Sequence, residues 1–217
     1  MTTKTYGQYC GVARALELVG ERWALLIIRD LLVAPKRYTD LRAGLPRIPT
    51  NVLATRLKEL EQAGIVTRRV QPRPSGAIVY ELTPYGEDLD QVVLALGRWG
   101  ARSLGELRPG EIATAETLVM ALRSTFEPGD VKASYELRFG EVVVHAVVDG
   151  ESLEAAPGPL PDADLAIEAY APLSPLLNGE LDAKAALAAG LVSTSGSIAA
   201  LARFAKLFRI GPTPAVA

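Results

Sequence analysis

The hydrophobic positions in the first third of the chain repeat with the period of a helix. Apolar residues at 12, 15, 16 and 19 form one stripe, and those at 24, 27, 28 and 31 form a second. The pattern predicts two helices within residues 11–33, broken near Gly20. Pro35 then ends the second helix, because proline has no backbone N–H to donate.

Two further helices are predicted before the period changes. A short helix over 39–43, with Thr39 as its N-cap, is followed by a turn at 44–46. Pro49 opens a longer helix in which leucines recur at 53, 57 and 60 until Gly64 stops it.

From residue 65 the pattern indicates a β-hairpin followed by a helix. Residues 65–70 and 77–82 form two strands around the turn-rich segment 71–76. Thr83 caps a helix that has Pro84 in its first turn and reaches about residue 104. Four helices, a hairpin and a helix are the order of a winged helix, although a small α+β domain of no special purpose has the same elements.

The second half of the chain predicts a separate α+β domain. Residues 107–112 form the expected junction, so that the domains span 1–106 and 111–212. A helix over 113–124 precedes strands at 131–139, 142–148 and 165–169, and the tight turn at Asp149-Gly150 favours a meander. Helical segments near 173–178, 182–189 and 197–208 follow, with a short strand near 191–194.

Charge divides the chain in the same way. Through residue 104 there are 15 Lys and Arg against 10 Asp and Glu, and the remainder has 8 against 15. Because polyanions attract basic surfaces, nucleic acid is expected to contact the first half. No apolar run approaches the ~20 residues of a membrane span, the start of the chain lacks a signal-peptide core, and one cysteine forms no internal disulfide. We therefore expect a cytoplasmic protein with no membrane partner.

The helix after Pro49 has a polar face that suits DNA. With the three leucines buried, a step of about 100° per residue places Asn51, Thr55 and Lys58 on the opposite side. The first two are expected to reach base edges, and Lys58 to contact phosphate. The full set of predicted DNA-binding residues is Arg47, Thr50, Asn51, Thr55, Arg56, Lys58, Arg68 and Arg73. The alternative is a solvated helix face with scattered surface arginines.

Five phrases, in order, resemble HxlR-type regulators. They are residues 16–23 (LELVGERW), 24–31 (ALLIIRDL), 37–41 (RYTDL), 53–60 (LATRLKEL) and 80–86 (YELTPYG). The resemblance covers roughly residues 10–104 and implies a dimeric winged helix-turn-helix transcriptional regulator. Leu89, Val92, Val93, Leu96 and Trp99 form an apolar stripe that would serve the homodimer. The same stripe could instead pack on its own domain.

Residues 113–210 resemble the sterol-carrier-protein-like fold, through 177–182 (LNGELD), 185–190 and 193–201. The resemblance implies an α/β domain with a mainly antiparallel sheet that could enclose a small apolar ligand. A filled interior would need similar residues, so a structural or oligomerising domain is equally compatible.

The sequence offers little catalytic chemistry. The single histidine, His145, lies among valines and is expected to be packed, and one His with one Cys forms no Cys/His metal cluster. We expect no enzyme, no metal and no cofactor. Cys10 is either an unreactive thiol at the dimer interface or a redox sensor whose thiolate Arg14 would stabilise.

These expectations combine into one hypothesis and one alternative. The chain is expected to bind double-stranded DNA as a homodimeric repressor that responds to a small apolar ligand. In the alternative it is a lipid or small-molecule carrier whose N-terminal domain serves assembly only. Strong, salt-sensitive binding to duplex DNA separates the two.

Overall fold

The computed structural model describes residues 5–212 and residue 214. The chain divides into two compact units, residues 1–93 and 94–217, within a helix rather than at residues 107–112. Residues 1–4 of the expected first domain lie outside the described part. The two units are defined by contacts within the folded chain and not by independent folding. The predicted domain boundaries, 1–106 and 111–212, therefore stay a prediction.

The first unit contains the helices and the hairpin that the sequence predicts. Its elements, with the helix that leads into the second unit, are α1 (Gly11–Val19), α2 (Ala24–Leu31), α3 (Tyr38–Gly44), α4 (Thr50–Gln62), β1 (Val66–Val70), β2 (Ile78–Leu82), α5 (Pro84–Glu87) and α6 (Asp90–Ala101). One buried core joins α2, α3 and α4 through their apolar residues, with Ile27, Leu41, Leu53 and Leu57 almost fully enclosed.

The end of α4 follows from its sequence. Gly64 has a φ of +70°, in the left-handed region that glycine enters without a steric penalty. Its N–H donates to Glu61 O, and the N–H of Ile65 donates to Leu60 O, both at 3.0 Å. Ile65 and Leu60 are both buried. This hydrogen-bond pattern, accompanied by a pair of buried apolar residues, is a Schellman motif.

The prediction that Thr39 caps α3 was wrong. The N-cap is Arg37, whose N–H donates to Asp40 Oδ2 at 3.0 Å, and Thr39 lies inside the first turn. Asp40, at the third position of the helix, was therefore the informative signal, since its carboxylate accepts the N–H of the N-cap residue Arg37.

The hairpin carries a third backbone pairing that the sequence did not reveal. β1 and β2 are antiparallel, with Arg68 opposite Tyr80. Lys36 pairs with Tyr80 on the other side of β2 through N–H···O bonds of 3.0 and 2.7 Å. The base of the hairpin is thereby fixed to the segment that connects α2 and α3.

The predicted helix over 84–104 is in fact two helices. Thr83 is the N-cap, as predicted, and its Oγ1 accepts the N–H of Gly86 at 3.1 Å. At Leu89 the N–H donates to Gly86 O, three residues back, which tightens the turn and separates α5 from α6. Leu89 packs against the core of the first unit as a result.

The second unit is a five-stranded sheet with helices. Its elements after α6 are α7 (Ala115–Thr125), β3 (Lys132–Phe139), β4 (Val142–Asp149), β5 (Ser152–Pro157), β6 (Leu165–Ala169), α8 (Ser174–Leu177), α9 (Ala183–Ala188), β7 (Val192–Thr194) and α10 (Ile198–Leu207). The strand order is β5-β4-β3-β6-β7, and only β3 and β6 are parallel. The mixed α+β architecture and the meander agree with the prediction, and β5 was missed.

One face of this sheet is apolar and packs on aromatic rings. Tyr135 of β3 meets Phe204 of α10 at 5.2 Å between ring centroids, and Phe204 meets Phe208 at 4.7 Å. Such pairs contribute about 0.5–1.5 kcal/mol each beyond the burial of their area. The rings fill this part of the space between the sheet and α10.

Candidate nucleic-acid interface

The α4 helix has one buried and one exposed face. Leu53, Leu57 and Leu60 are at most 2% exposed. Asn51 and Lys58 are exposed on the other side, and neither side chain has a hydrogen bond or ion pair within residues 5–212 and 214. Both are therefore available to an external partner.

Two neighbours on this face differ from the sequence-based expectation. Thr55 is exposed, but its Oγ1 donates to Asn51 O at 2.8 Å, so its proton is already used within the helix. Ala54 is also exposed, and its methyl group is of the kind that contacts the thymine methyl in the major groove. The exposed alanine was missed because alanine is common on both faces of helices.

The beginning of α4 is held by α3. The hydroxyl of Tyr38 donates to Thr50 O at 2.8 Å. Thr50 and Arg47 are both exposed at this end of the helix, where the first backbone N–H groups of α4 carry partial positive charge. The geometry suits a phosphate oxygen there.

Arg56, which was predicted to bind DNA, is turned into the protein. Its side chain is 17% exposed and forms ion pairs with Glu59 and with Glu21 in the α1–α2 turn. The Arg56 Nη2 to Glu21 Oε2 distance is 3.6 Å. A guanidinium occupied in this way does not extend toward a duplex.

The hairpin presents arginines of two kinds. Arg68 Nε lies 2.7 Å from Glu61 Oε1, and Arg69 Nε lies 2.8 Å from Glu81 Oε2. Arg73, at the exposed tip, has no such partner among the described residues. The Arg68 side chain is 57% exposed, so an external partner can reach it even while it is paired with Glu61.

The tip of the hairpin is connected to the start of α3. Arg37 Nη2 donates to Ser75 Oγ at 3.2 Å, and Ser75 Oγ donates to Gln71 Oε1 at 3.0 Å. These contacts orient the 71–77 segment that carries Arg73.

The apolar stripe on α6 has two parts. Leu89, just before the helix, and Val93 pack against the core of the first unit. Val92, Leu96 and Trp99 are exposed, with Trp99 at 70%. Spaced at i, i+4 and i+7, these three lie on one side of the helix.

α1 carries exposed apolar residues on the stripe that its sequence pattern predicts. Val12 and Leu16 are exposed, whereas Ala13 and Val19 are buried. The helix that this spacing predicted is present, and the spacing alone did not show which of its residues are covered. Uncovered apolar side chains of this size are candidates for contact with a second chain.

Cys10 is exposed at the N-cap of α1. The backbone N–H groups of Ala13 and Val12 hold the pKa of its thiol below the ordinary value. Arg14, which was expected to stabilise the thiolate, instead donates to Glu17 Oε2 at 2.8 Å. The first turn of α1, rather than a neighbouring cation, favours the thiolate.

The second unit has a groove on the face of the sheet opposite the aromatic rings. Its volume is about 410 Å³, and it is lined by Glu136, Arg138, Pro159, Leu160, Pro161, Asp162, Ala163, Ala166 and Ser195. Half-buried His145 faces the same side, and its Nδ1 lies 3.0 Å from Gly158 O. Glu136 and Arg138 of β3 bring charged groups to this groove, and the apolar ligand expected for the second unit stays a prediction.

Two features are absent from residues 5–212 and 214. No helix in this part of the chain is long and apolar enough to cross a membrane. No three His, Cys, Asp or Glu side chains in it are grouped so as to hold a metal ion.

Comparison with known proteins gives consistent matches to the first part of the chain. The HTH-type transcriptional regulator YodB of Bacillus subtilis is 41% identical over 85 residues, which are 39% of this chain and 76% of that protein. The uncharacterised HTH-type regulator YvaP of the same organism is 36% identical over 86 residues, 40% of this chain and 80% of that protein. A solved structure of reduced B. subtilis YodB is 36% identical and covers 48% of this chain and all of that chain, with a TM-score of 0.40.

The family match covers the helix-turn-helix part of the chain. The profile of the HxlR-like helix-turn-helix family covers residues 18–107, from the end of α1 through the segment after α6. This range includes α3, α4 and the hairpin, and all five sequence phrases lie in it or overlap its start. The resemblance of residues 113–210 to sterol carrier proteins stays a prediction. Through residues 18–107, the chain belongs to the HxlR-like family of helix-turn-helix transcriptional regulators.

Proposed function

We propose that the chain binds duplex DNA as a homodimer, with α4 in the major groove and the hairpin as a wing along the backbone. The observation that carries the proposal is the exposed face of α4, where Asn51 and Lys58 have no partner within the described residues. An amide suits the N6 and N7 edge of adenine, and a lysine suits phosphate. Family relatives named as transcriptional regulators support the same role.

The DNA contacts in this proposal differ from the full set expected from the sequence. Asn51 is the principal reader of base edges, with Thr55 and Ala54 beside it. Lys58 and Arg73 contact phosphates, Arg47 and Thr50 lie close to the backbone at the start of α4, and Arg68 joins them. Arg56 is omitted because its guanidinium faces Glu21 and Glu59.

The dimer in this proposal uses α6. Val92, Leu96 and Trp99 are exposed in the single chain, and contact with a second copy would remove them from water. A dimer also presents two copies of α4 to two half-sites, which multiplies the affinity for a palindromic operator. We propose that binding represses transcription, and that a small ligand in the second unit changes the affinity for the operator.

Selection from a random duplex pool tests the proposal. The purified full-length chain should enrich a palindromic sequence and bind it with an affinity that falls steeply as salt rises. A carrier protein whose N-terminal domain serves assembly only would enrich no sequence and show weak binding at every salt concentration. That result would overturn the proposal.

A second proposed role is thiol sensing by Cys10. It is supported by the exposure of the thiol and by the backbone N–H groups of Ala13 and Val12, which lower its pKa. The rate of alkylation by iodoacetamide should therefore rise at lower pH than for a free cysteine derivative, because the thiolate is the nucleophile. Cys10→Ser supplies the blank, and a rate profile identical to that of free cysteine would remove this role.

A further inference from the structure

Arg56 occupies an unusual place for a cation on a DNA-facing helix. It lies one residue from Thr55 and two from Lys58, yet its guanidinium reaches across to the α1–α2 turn. Its Nε is buried without a hydrogen-bond partner among the described residues. A buried, incompletely satisfied donor is costly, so its position is held by the two ion pairs and by packing.

The partner of Arg56 lies on a constrained corner of the chain. Glu21 stands two residues before Trp23, which has a φ of +80° although it carries a side chain. Arg22 lies over the Trp23 ring, with 5.3 Å from its Cζ to the ring centroid. A residue in the left-handed region persists only where its surroundings fix it, so this turn is a defined anchor point.

A rotational anchor matters for reading bases. The buried side of α4 is a row of leucines, and the ion pair between Arg56 and Glu21 adds a contact from α4 to the α1–α2 turn outside that row. A side-chain tip lies roughly 6 Å from the helix axis, so a rotation of 20° moves it by about 2 Å. Hydrogen bonds tolerate only about 0.5 Å of variation in length, so such a rotation would remove Asn51 from a base edge.

We propose that Arg56 is a positioning residue: its ion pair with Glu21 sets the rotation of α4 so that Asn51 faces the bases. This inference rests on the proposed DNA-binding function. It assigns Arg56 a role in specificity without contact to DNA, and it gives Glu21, an acidic residue remote in sequence from α4, the same role.

The test compares Arg56→Gln, Glu21→Gln and the double variant with the wild type. Lys58→Gln is the matched control, since it removes one cation from the exposed face of the same helix. Each full-length protein is titrated with the selected operator and with random duplex DNA at four or more salt concentrations. Circular dichroism melts record whether each variant is folded.

The positioning role predicts a distinct pattern. Arg56→Gln and Glu21→Gln should each lower the preference for operator over random DNA by about tenfold, and the double variant should lose no more than either single variant. The slope of log affinity against log salt should stay at the wild-type value for both, because no phosphate contact is lost. Lys58→Gln should flatten that slope by about one unit and leave the preference unchanged.

Two results would overturn the inference. If Arg56→Gln weakens both DNAs equally and flattens the slope, Arg56 contacts phosphate. If Glu21→Gln leaves the operator preference unchanged, the ion pair does not position α4. Because Glu21→Gln changes no residue of α4, it keeps the test decisive even if Arg56→Gln is unstable. Failure of the wild type to bind duplex DNA is a different outcome, which rejects the proposed function itself.

Discussion

The exposed face of α4 and the polar face of the sheet in the second unit both carry polar side chains. They differ in whether those side chains have hydrogen-bond partners within the protein. On α4, Asn51 and Lys58 have no partner among the described residues. On the sheet, Glu136 is 6% exposed and accepts hydrogen bonds from the N–H of Leu160 and from Arg138, at 2.8 and 2.7 Å. Polar groups that are satisfied internally hold the fold together, whereas those left unsatisfied at the surface are available for recognition.

Other polar pairs on the sheet follow the same rule. Ser134 donates its N–H and its hydroxyl to Asp164 Oδ2 at 2.7 and 2.9 Å, and the Tyr170 hydroxyl lies 3.0 Å from Ser193 Oγ. The N–H and hydroxyl of Ser134 lower the pKa of Asp164. The comparison therefore predicts that substitutions on the exposed face of α4 alter DNA binding and leave stability unchanged. Substitutions of the paired polar residues on the sheet should alter stability and leave DNA binding unchanged.

The largest effect is expected at the exposed apolar stripe of α6. Leu96→Asp should weaken the dimer and lower operator affinity by about 100-fold or more, because two linked half-site contacts become independent. Sedimentation of the free protein and an operator titration measure the two effects. Gln91→Asp, at an exposed position of α6 outside the stripe, is the control. A folded Leu96→Asp variant that remains fully dimeric would place the interface elsewhere.

The next effect concerns stability. Glu136→Gln should lower the free energy of unfolding by about 1–3 kcal/mol, since a neutral amide cannot accept both the Arg138 and the Leu160 hydrogen bonds as a carboxylate does. Urea unfolding monitored by circular dichroism gives this value. Operator affinity of the folded variant should equal that of the wild type. A change in affinity would contradict the assignment of stability to the sheet and of DNA binding to α4.

The same variant has a pH dependence with a defined sign. Desolvation raises the pKa of Glu136, but the Leu160 N–H and Arg138 together hold it below the ordinary value. The folded state therefore favours the ionised form, and the stabilisation is complete above the pKa of the unfolded chain. As the pH falls through the folded-state pKa, the stability difference between wild type and Glu136→Gln should shrink. A difference that grows toward acid pH would contradict the assignment.

The smallest effect is expected at the wing. Arg73→Gln should weaken operator and random DNA equally and flatten the salt dependence by about one unit of slope, as the loss of one phosphate contact requires. Arg69→Gln is the matched control, because Arg69 is paired with Glu81 on the same hairpin. Loss of sequence preference in Arg73→Gln would mean that the wing reads bases.

The sequence predicted elements whose cause is local and missed features that depend on distant partners. The α4 helix and its ends follow from the Pro49 and Gly64 signals and the leucine spacing. The inward turn of Arg56 does not, because it depends on Glu21, which lies 35 positions earlier along the printed chain. β5 (Ser152–Pro157) has weak strand propensity and is held by its pairing with β4, so its own residues gave little signal.

The difference between local causes and distant partners also explains why part of the apolar stripe on α6 is packed and part is exposed. Spacing grouped Leu89 and Val93 with Val92 and Leu96, because all four lie within about 100° of one another on a helix. Only the position of the first unit's core decides which of them it covers, and that core is built from residues far away in sequence. Periodicity therefore predicts that a face is apolar but not what covers it.

The most direct test of DNA reading by α4 is the sequence preference of Asn51→Ala. Titrations of wild type and variant are made on the selected operator and on random duplex DNA at several salt concentrations. If Asn51 reads a base edge, operator binding should weaken by about 1–3 kcal/mol, random DNA binding should be unchanged, and the salt slope should stay the same. Equal binding of the operator by the folded variant and the wild type would contradict the claim that this face of α4 reads DNA.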